Sequence, residues 1–264
     1  MSDPSDELAR YNRDAWDHQV DQGQRWTRPV DGETIERARR GDWDIVLTPT
    51  KPVPKMWFGD LSQANVLCLA SGGGQQVPIL AAAGARVTVL DNSPRQLDQD
   101  QRVAEREGLS IQVILGDMRD LSPLADESFD LIVHPCSNCF VPEIQSVWKE
   151  SFRVLKGGGS LLSGFVKPIS FIFDENEATA GKLVVRHALP YSDESHLRPE
   201  ELNKLREDGE PLMFSHSLEE LLGGQLQAGL QLVDLYEDRD KSEPMSKYFP
   251  PYLATRSIKP ISKA

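Results

Sequence analysis

The sequence predicts an α/β fold: a doubly wound, mostly parallel sheet with an antiparallel carboxyl-terminal hairpin, an amino-terminal helix and an inserted cap. Three observations carry this. Apolar runs too short for helices recur at residues 66–69, 87–90, 111–115 and 129–133, and helical segments follow the first two. The first run enters Gly72-Gly73-Gly74, a turn leading straight into a helix. Two late runs, 230–236 and 252–258, have no helix-length segment between them and pair as a hairpin.

In chain order, residues 1–7 look frayed, and Leu8, Tyr11, Ala15, Trp16 and Val20 then approximate one helix face. That face either docks on the domain or closes over a site, with Tyr11 and Trp16 as lid candidates. Trp26 and Trp43 precede a stretch broken by Pro49, Pro52 and Pro54. Trp57 and Phe58 follow, placed either to wall a substrate pocket or to cover the sheet edge.

After the glycine turn, residues 75–83 form a helix with Pro78 in its first turn and Gly84 at its stop. Ser93-Pro94-Arg95-Gln96 opens the next helix as a capping box, and Gly108 ends it. Strand 129–133 leads into His134-Pro135-Cys136-Ser137-Asn138-Cys139-Phe140-Val141-Pro142, a loop outside the carboxyl end of a strand, where ligands bind in such sheets. A helix with Ile144, Val147, Trp148 and Leu155 on one stripe should end at residues 157–159, before a strand at 160–165. Residues 166–214 depart from the alternating pattern and read as the cap, where His187, Tyr191 and His196 could meet a substrate. Ser217-Leu218-Glu219-Glu220 is a second capping box, with a helix closing at Gly229. The units are therefore a lid-like extension at 1–60, a core at 61–165, the cap at 166–214, the rest of the core at 215–258, and a tail at 259–264.

Composition narrows the function. With 29 basic and 41 acidic residues the net charge is −12, opposite to what a phosphate backbone selects, so nucleic acid is not the expected partner. No apolar run reaches the ~20 residues that span a bilayer. The polar, acidic first residues and three cysteines that cannot all pair suit a cytoplasmic protein. Cys136 and Cys139 form a lone C-x-x-C without the second pair a closed zinc site needs, so no metal is expected.

The chemistry concentrates at strand tips. Glycines admit close approach of a ligand to the backbone, a helix N-terminus offers unpaired N–H groups, and Asp91 ends the second strand, where a carboxylate can accept both hydrogens of a ribose diol. A nucleoside cofactor is implied. Gly116-Asp117-Met118 and His134 supply two further tips.

The order VLCLASGGG, VTVLD, GDMRDL, FDLIVHP, RVLKGGGSLL resembles the class I S-adenosylmethionine-dependent methyltransferases of small-molecule type, whose domain is Rossmann-like; the likeness covers about residues 65–165. It implies that Ala70, Ser71, Gly72, Gly73 and Gly74 line the methionine part of S-adenosyl-L-methionine, and that Asp91 holds the ribose beside Asn92. It also implies that Asp117 and the Met118 N–H meet the adenine, with His134 near the sulfonium. Two positions depart from the pattern: Cys68 replaces the usual acid and Ala70 the first glycine. Trp57, Asn138 and Tyr191 are the candidates for contacting a small-molecule methyl acceptor. If that acceptor must lose a proton, His134 and Tyr11 are the candidate bases, His134 remaining neutral beside a cationic cofactor. A nicotinamide-dependent oxidoreductase is the rival reading, but its third glycine would fall at Val77. A domain that binds the cofactor without catalysis is the other alternative.

Overall fold

The computed structural model describes residues 4–261. Seven strands, β1 Asn65–Leu69, β2 Arg86–Asp91, β3 Ile111–Leu115, β4 Phe129–His134, β5 Leu155–Val166, β6 Gln231–Asp238 and β7 Tyr252–Ile258, form one sheet in the order β3-β2-β1-β4-β5-β7-β6. β1 to β5 run parallel, and β7 runs antiparallel to both β5 and β6. The helices are α1 Pro4–Asp21, α2 Gly32–Arg39, α3 Gln76–Ala82, α4 Pro94–Glu107, α5 Gln145–Val154, α6 Glu175–Thr179, α7 Asp193–His196, α8 Pro199–Glu207 and α9 Gly224–Gln227.

Alternation along β1 explains why both faces are covered. Val66 and Cys68 point into a core shared with Ile35, Val77, Leu80 and Leu97, whereas Leu67 and Leu69 point into another shared with Leu121, Val147, Trp148 and Leu221. Local signals act as read. Ser93 Oγ accepts from Gln96 N at 3.1 Å, Gly108 ends α4 in the left-handed region, and Ser217 and Glu220 cap one another. Beyond that cap the chain winds one π-type turn, Glu219–Gly223, before α9.

Several bounds differ from expectation. α1 begins at Pro4, inside the stretch expected to be frayed, whose first three residues lie outside the described residues. Residues 157–159 do not stop a helix; α5 ends at Val154 and the glycines extend β5, with only Gly158 in the left-handed region. Lys259, just past β7, is still tied to β5, exchanging backbone bonds with Gly158 and Gly159 while Nζ donates to Leu155 O; residues 262–264 of the expected tail lie outside the described residues. Trp57 is 1% exposed, donates Nε1–H to Asp234 Oδ2 at 2.9 Å and packs on Tyr236, so it covers the sheet at β6. The segment 166–214 is held by Arg186, which pairs with Asp174 and Glu201 at 2.9 and 2.6 Å. No described helix is long and apolar enough to cross a membrane.

Candidate active site

The carboxyl ends of β1, β2, β4 and β5 open into a cavity of about 280 Å³, roofed by α1 and walled by the loop after β4. β1 delivers the chain to Ala70, whose φ is +47°, the conformation a glycine adopts freely and an alanine at a cost of roughly 1–2 kcal/mol. Gly72 N donates to Asp91 Oδ2 at 3.0 Å, and a Cβ on Gly72 would stand 2.8 Å from Gln96 Cβ in α4. Only glycine lets the turn close on both.

Ser93 N also donates to Asp91, to Oδ1 at 3.0 Å. An ionised carboxylate offers about four lone-pair positions, and those not taken by backbone N–H groups remain for a diol. Burial pushes its carboxyl upward, opposed by the N–H groups of Ser93, Gly72 and Asn92. Asn92 Nδ2 donates to Ala9 O at 2.7 Å, tying the tip of β2 to the roof. Asp117 and Met118 line the same cavity, and Asp117 is gripped by Arg119, with Nη2 2.7 Å from Oδ2 and Nε 3.0 Å from Oδ1.

The roof is fastened by Asn12, 3% exposed. Its Nδ2 donates to Phe140 O and Leu212 O at 2.9 and 3.0 Å, and its Oδ1 accepts from Leu212 N at 2.8 Å. Trp16 meets Phe140 edge-on, with centroids 5.0 Å apart.

The cavity thus gathers Ala70, Ser71, Gly72, Asp91, Asn92, Asp117 and Met118, as well as Trp16. The other candidates stand elsewhere. Gly73 and Gly74 face the protein: Cβ atoms there would stand 3.0 Å from Trp26 O and 2.9 Å from Pro29 Cβ, and Val30 N donates to Gly74 O. Beneath them the buried Asp100 accepts from Gly74 N at 2.8 Å. His134 is fully buried behind the wall, its Nδ1 2.9 Å from Leu69 O and its ring edge-on to Trp148; burial pushes its pKa down to about 4. The ring is neutral, as a base beside a cation would need, yet it does not reach the cavity. Tyr11 turns outward and donates to Glu210 O. Asn138 spends its amide on Gly164 O at 2.6 Å. Tyr191 stacks on Phe171 and bonds Asp193, inside an aromatic cluster with His187 and His196. Among these side chains the apolar or carbonyl partner lies on the protein side, which spacing along the chain does not reveal.

Sequence reasoning missed Asn12, Arg119 and Tyr252, all of which line the cavity. A polar residue on an otherwise apolar helix face marks Asn12. Arg119 follows the expected adenine contact by two residues. Tyr252 carries no comparable signal. Cys136 and Cys139 also line the cavity, both with thiols pushed upward by burial. Among the described residues no cluster of three or more metal-ligating side chains occurs.

Sheet order, antiparallel end and strand-tip cavity define an S-adenosylmethionine-dependent methyltransferase, and comparison agrees. Residues 67–163 match the methyltransferase domain family. The chain is 50% identical to the uncharacterized methyltransferase YbaJ of Bacillus subtilis over 96% of its own length and 98% of that protein's, and it belongs to the same methyltransferase family. Solved structures share the fold. An S-adenosylmethionine-dependent methyltransferase of Mesorhizobium loti superposes with a TM-score of 0.58 at 14% identity, covering 77% of this chain and 94% of that one. A corresponding structure from Listeria monocytogenes gives 0.57 at 18%, covering 78% and 95%.

Proposed function

We propose that the chain binds S-adenosyl-L-methionine across β1, β2 and β3 and transfers its methyl group to a small molecule held between α1 and the loop after β4. The observation that carries this is Asp91, fixed by Gly72 and Ser93 at the edge of the cavity with lone-pair capacity left over. Asp91 takes the ribose diol beside Asn92, the backbone of Ala70, Ser71 and Gly72 borders the methionine part, and Asp117 with Met118 meets the adenine. When bound, the donor supplies a methyl group activated by a sulfonium. The chain's own contribution is to exclude water and hold the two reacting atoms in line about 3 to 3.5 Å apart, which accounts for much of the acceleration in such a transfer. Net charge −12 and the apolar walls of Trp16, Phe140 and Val141 favour a small acceptor over nucleic acid. Three unpaired thiols fit a cytoplasmic setting.

A dinucleotide is disfavoured because Val77, where its fingerprint asks for glycine, is wholly buried in α3. Calorimetric titration with S-adenosylmethionine, S-adenosylhomocysteine and NAD tests the reading. Binding of the first two and not the third is expected; preference for NAD overturns it. Isotope-labelled donor incubated with fractionated cell extract then identifies the product.

A further inference from the structure

Tyr252 opens β7 opposite Val166 at the carboxyl end of β5, and both residues line the cavity. From β1 the sheet passes through β4 and β5 to β7, so at about 4.8 Å per strand Tyr252 stands roughly 14 Å across from β1. Asp91 and Asp117 lie over the opposite side, at the ends of β2 and β3. Tyr252 therefore belongs to the acceptor end. Its hydroxyl donates to Glu243 Oε1, in the loop between β6 and β7. Burial, and next the negative charge of Glu243, push the phenol upward; burial pushes the Glu243 carboxyl upward too, opposed by the bond from Tyr252. Among the described residues no cation forms an ion pair with Glu243; the nearby Arg25 pairs with Asp240 at 3.4 Å.

A phenol whose only proton is engaged offers nothing but lone pairs to a ligand. The cavity it lines takes apolar side chains from Trp16, Leu47, Phe140, Val141 and Met213, with Thr48, Cys136 and Ser137 among its polar ones. We infer that Tyr252 contacts the methyl acceptor by accepting a hydrogen bond from it, so that the acceptor is an apolar molecule bearing a hydroxyl, amine or thiol. The inference deepens the methyltransferase reading and rests on it. Glu243 is the positioning residue: it fixes which way the phenolic proton points. A molecule lacking a donor would leave the lone pairs of the Tyr252 oxygen without a partner, and would be bound about tenfold or more weakly. A hydroxyl or thiol loses its only donor on methylation, so the same contact would favour substrate over product.

The test titrates 4-butylphenol and its methyl ether, 4-butylanisole, into the full chain saturated with S-adenosylhomocysteine. The phenol is expected to bind about tenfold or more tightly than the ether. Tyr252→Phe should reduce that preference to less than about twofold while leaving S-adenosylhomocysteine affinity unchanged. Equal affinities in the unmodified protein, binding of neither probe, or a preference that survives Tyr252→Phe would overturn the inference. The comparison in the unmodified protein stands even if the variant fails to fold. Failure of S-adenosylhomocysteine itself to bind would instead strike the methyltransferase reading beneath it.

Discussion

Asp91 Oδ2 lies 3.0 Å from the amide nitrogen of Gly72, and this bond joins the tip of β2 to the glycine turn of β1. The carboxylate therefore has two tasks, shaping the turn and facing the cavity. Asp91→Ala should weaken S-adenosylhomocysteine binding at least tenfold, since each bond to a charged group contributes roughly 1.5 to 3 kcal/mol. It should also lower thermal stability by several degrees or more through the stranded Gly72 and Ser93 N–H groups, about 1–3 kcal/mol for each that stays dry. Calorimetry and thermal melts separate the two; an unchanged dissociation constant would remove Asp91 from the cofactor site.

Asn12 fastens the roof with three bonds from a side chain 3% exposed. Asn12→Ala should cost about 2 to 3 kcal/mol, a melting shift of roughly 5 to 10 °C for a domain of this size. Hydrogen exchange should rise in α1 more than in β1 and β4. Uniform exchange across the chain would show that α1 is not held by this residue.

Ala70 adopts a left-handed backbone at φ +47°. Ala70→Gly should relieve about 1 kcal/mol of strain, nearly cancelling the greater entropy that glycine gives the unfolded chain. Urea denaturation should show a change within about 0.5 kcal/mol, whereas Ala104→Gly inside α4 should lose about 1 kcal/mol or more. Equal losses at both positions would mean that residue 70 is unstrained.

His134 titrates from about 4 when folded, against 6.5 when unfolded, because burial disfavours its cation. The unfolded chain binds the extra proton between these values, so this residue's contribution is intact above pH 6.5 and is lost as pH falls toward 4. The full effect is about 3 kcal/mol. His134→Gln, which can still donate to Leu69 O, should flatten the stability profile between pH 6.5 and 4. An unaltered slope would assign acid sensitivity to other groups.

The strands, the helix starts and the antiparallel end could be read from the chain because the relevant information is local. The continuous apolar runs of β1 and β2, the capping serines at 93 and 217, and the absence of a long helix between β6 and β7 each decide an element within a few residues. The strand order was not read, because it depends on pairings between segments far apart in the chain. That Asp91, Asn92 and Asp117 reach the cavity was legible for the same reason: a strand end in such a sheet has one destination. Side-chain direction in loops was not. Asn138 sits in the expected loop, whereas His134 closes β4 instead of opening that loop, and their amide and imidazole satisfy carbonyls of β5 and β1. Tyr252 was invisible, because only the pairing of β7 with β5 carries it to the cavity.

Gly73 and Gly74 lean on Trp26 and Pro29, and Gln75 Nε2 donates to Arg25 O and Arg28 O at 2.8 and 3.0 Å. The first thirty residues are therefore not interchangeable packaging. A chimera that grafted this segment from another methyltransferase would inherit a mismatched floor under its own glycine loop, and the two would have to be exchanged together.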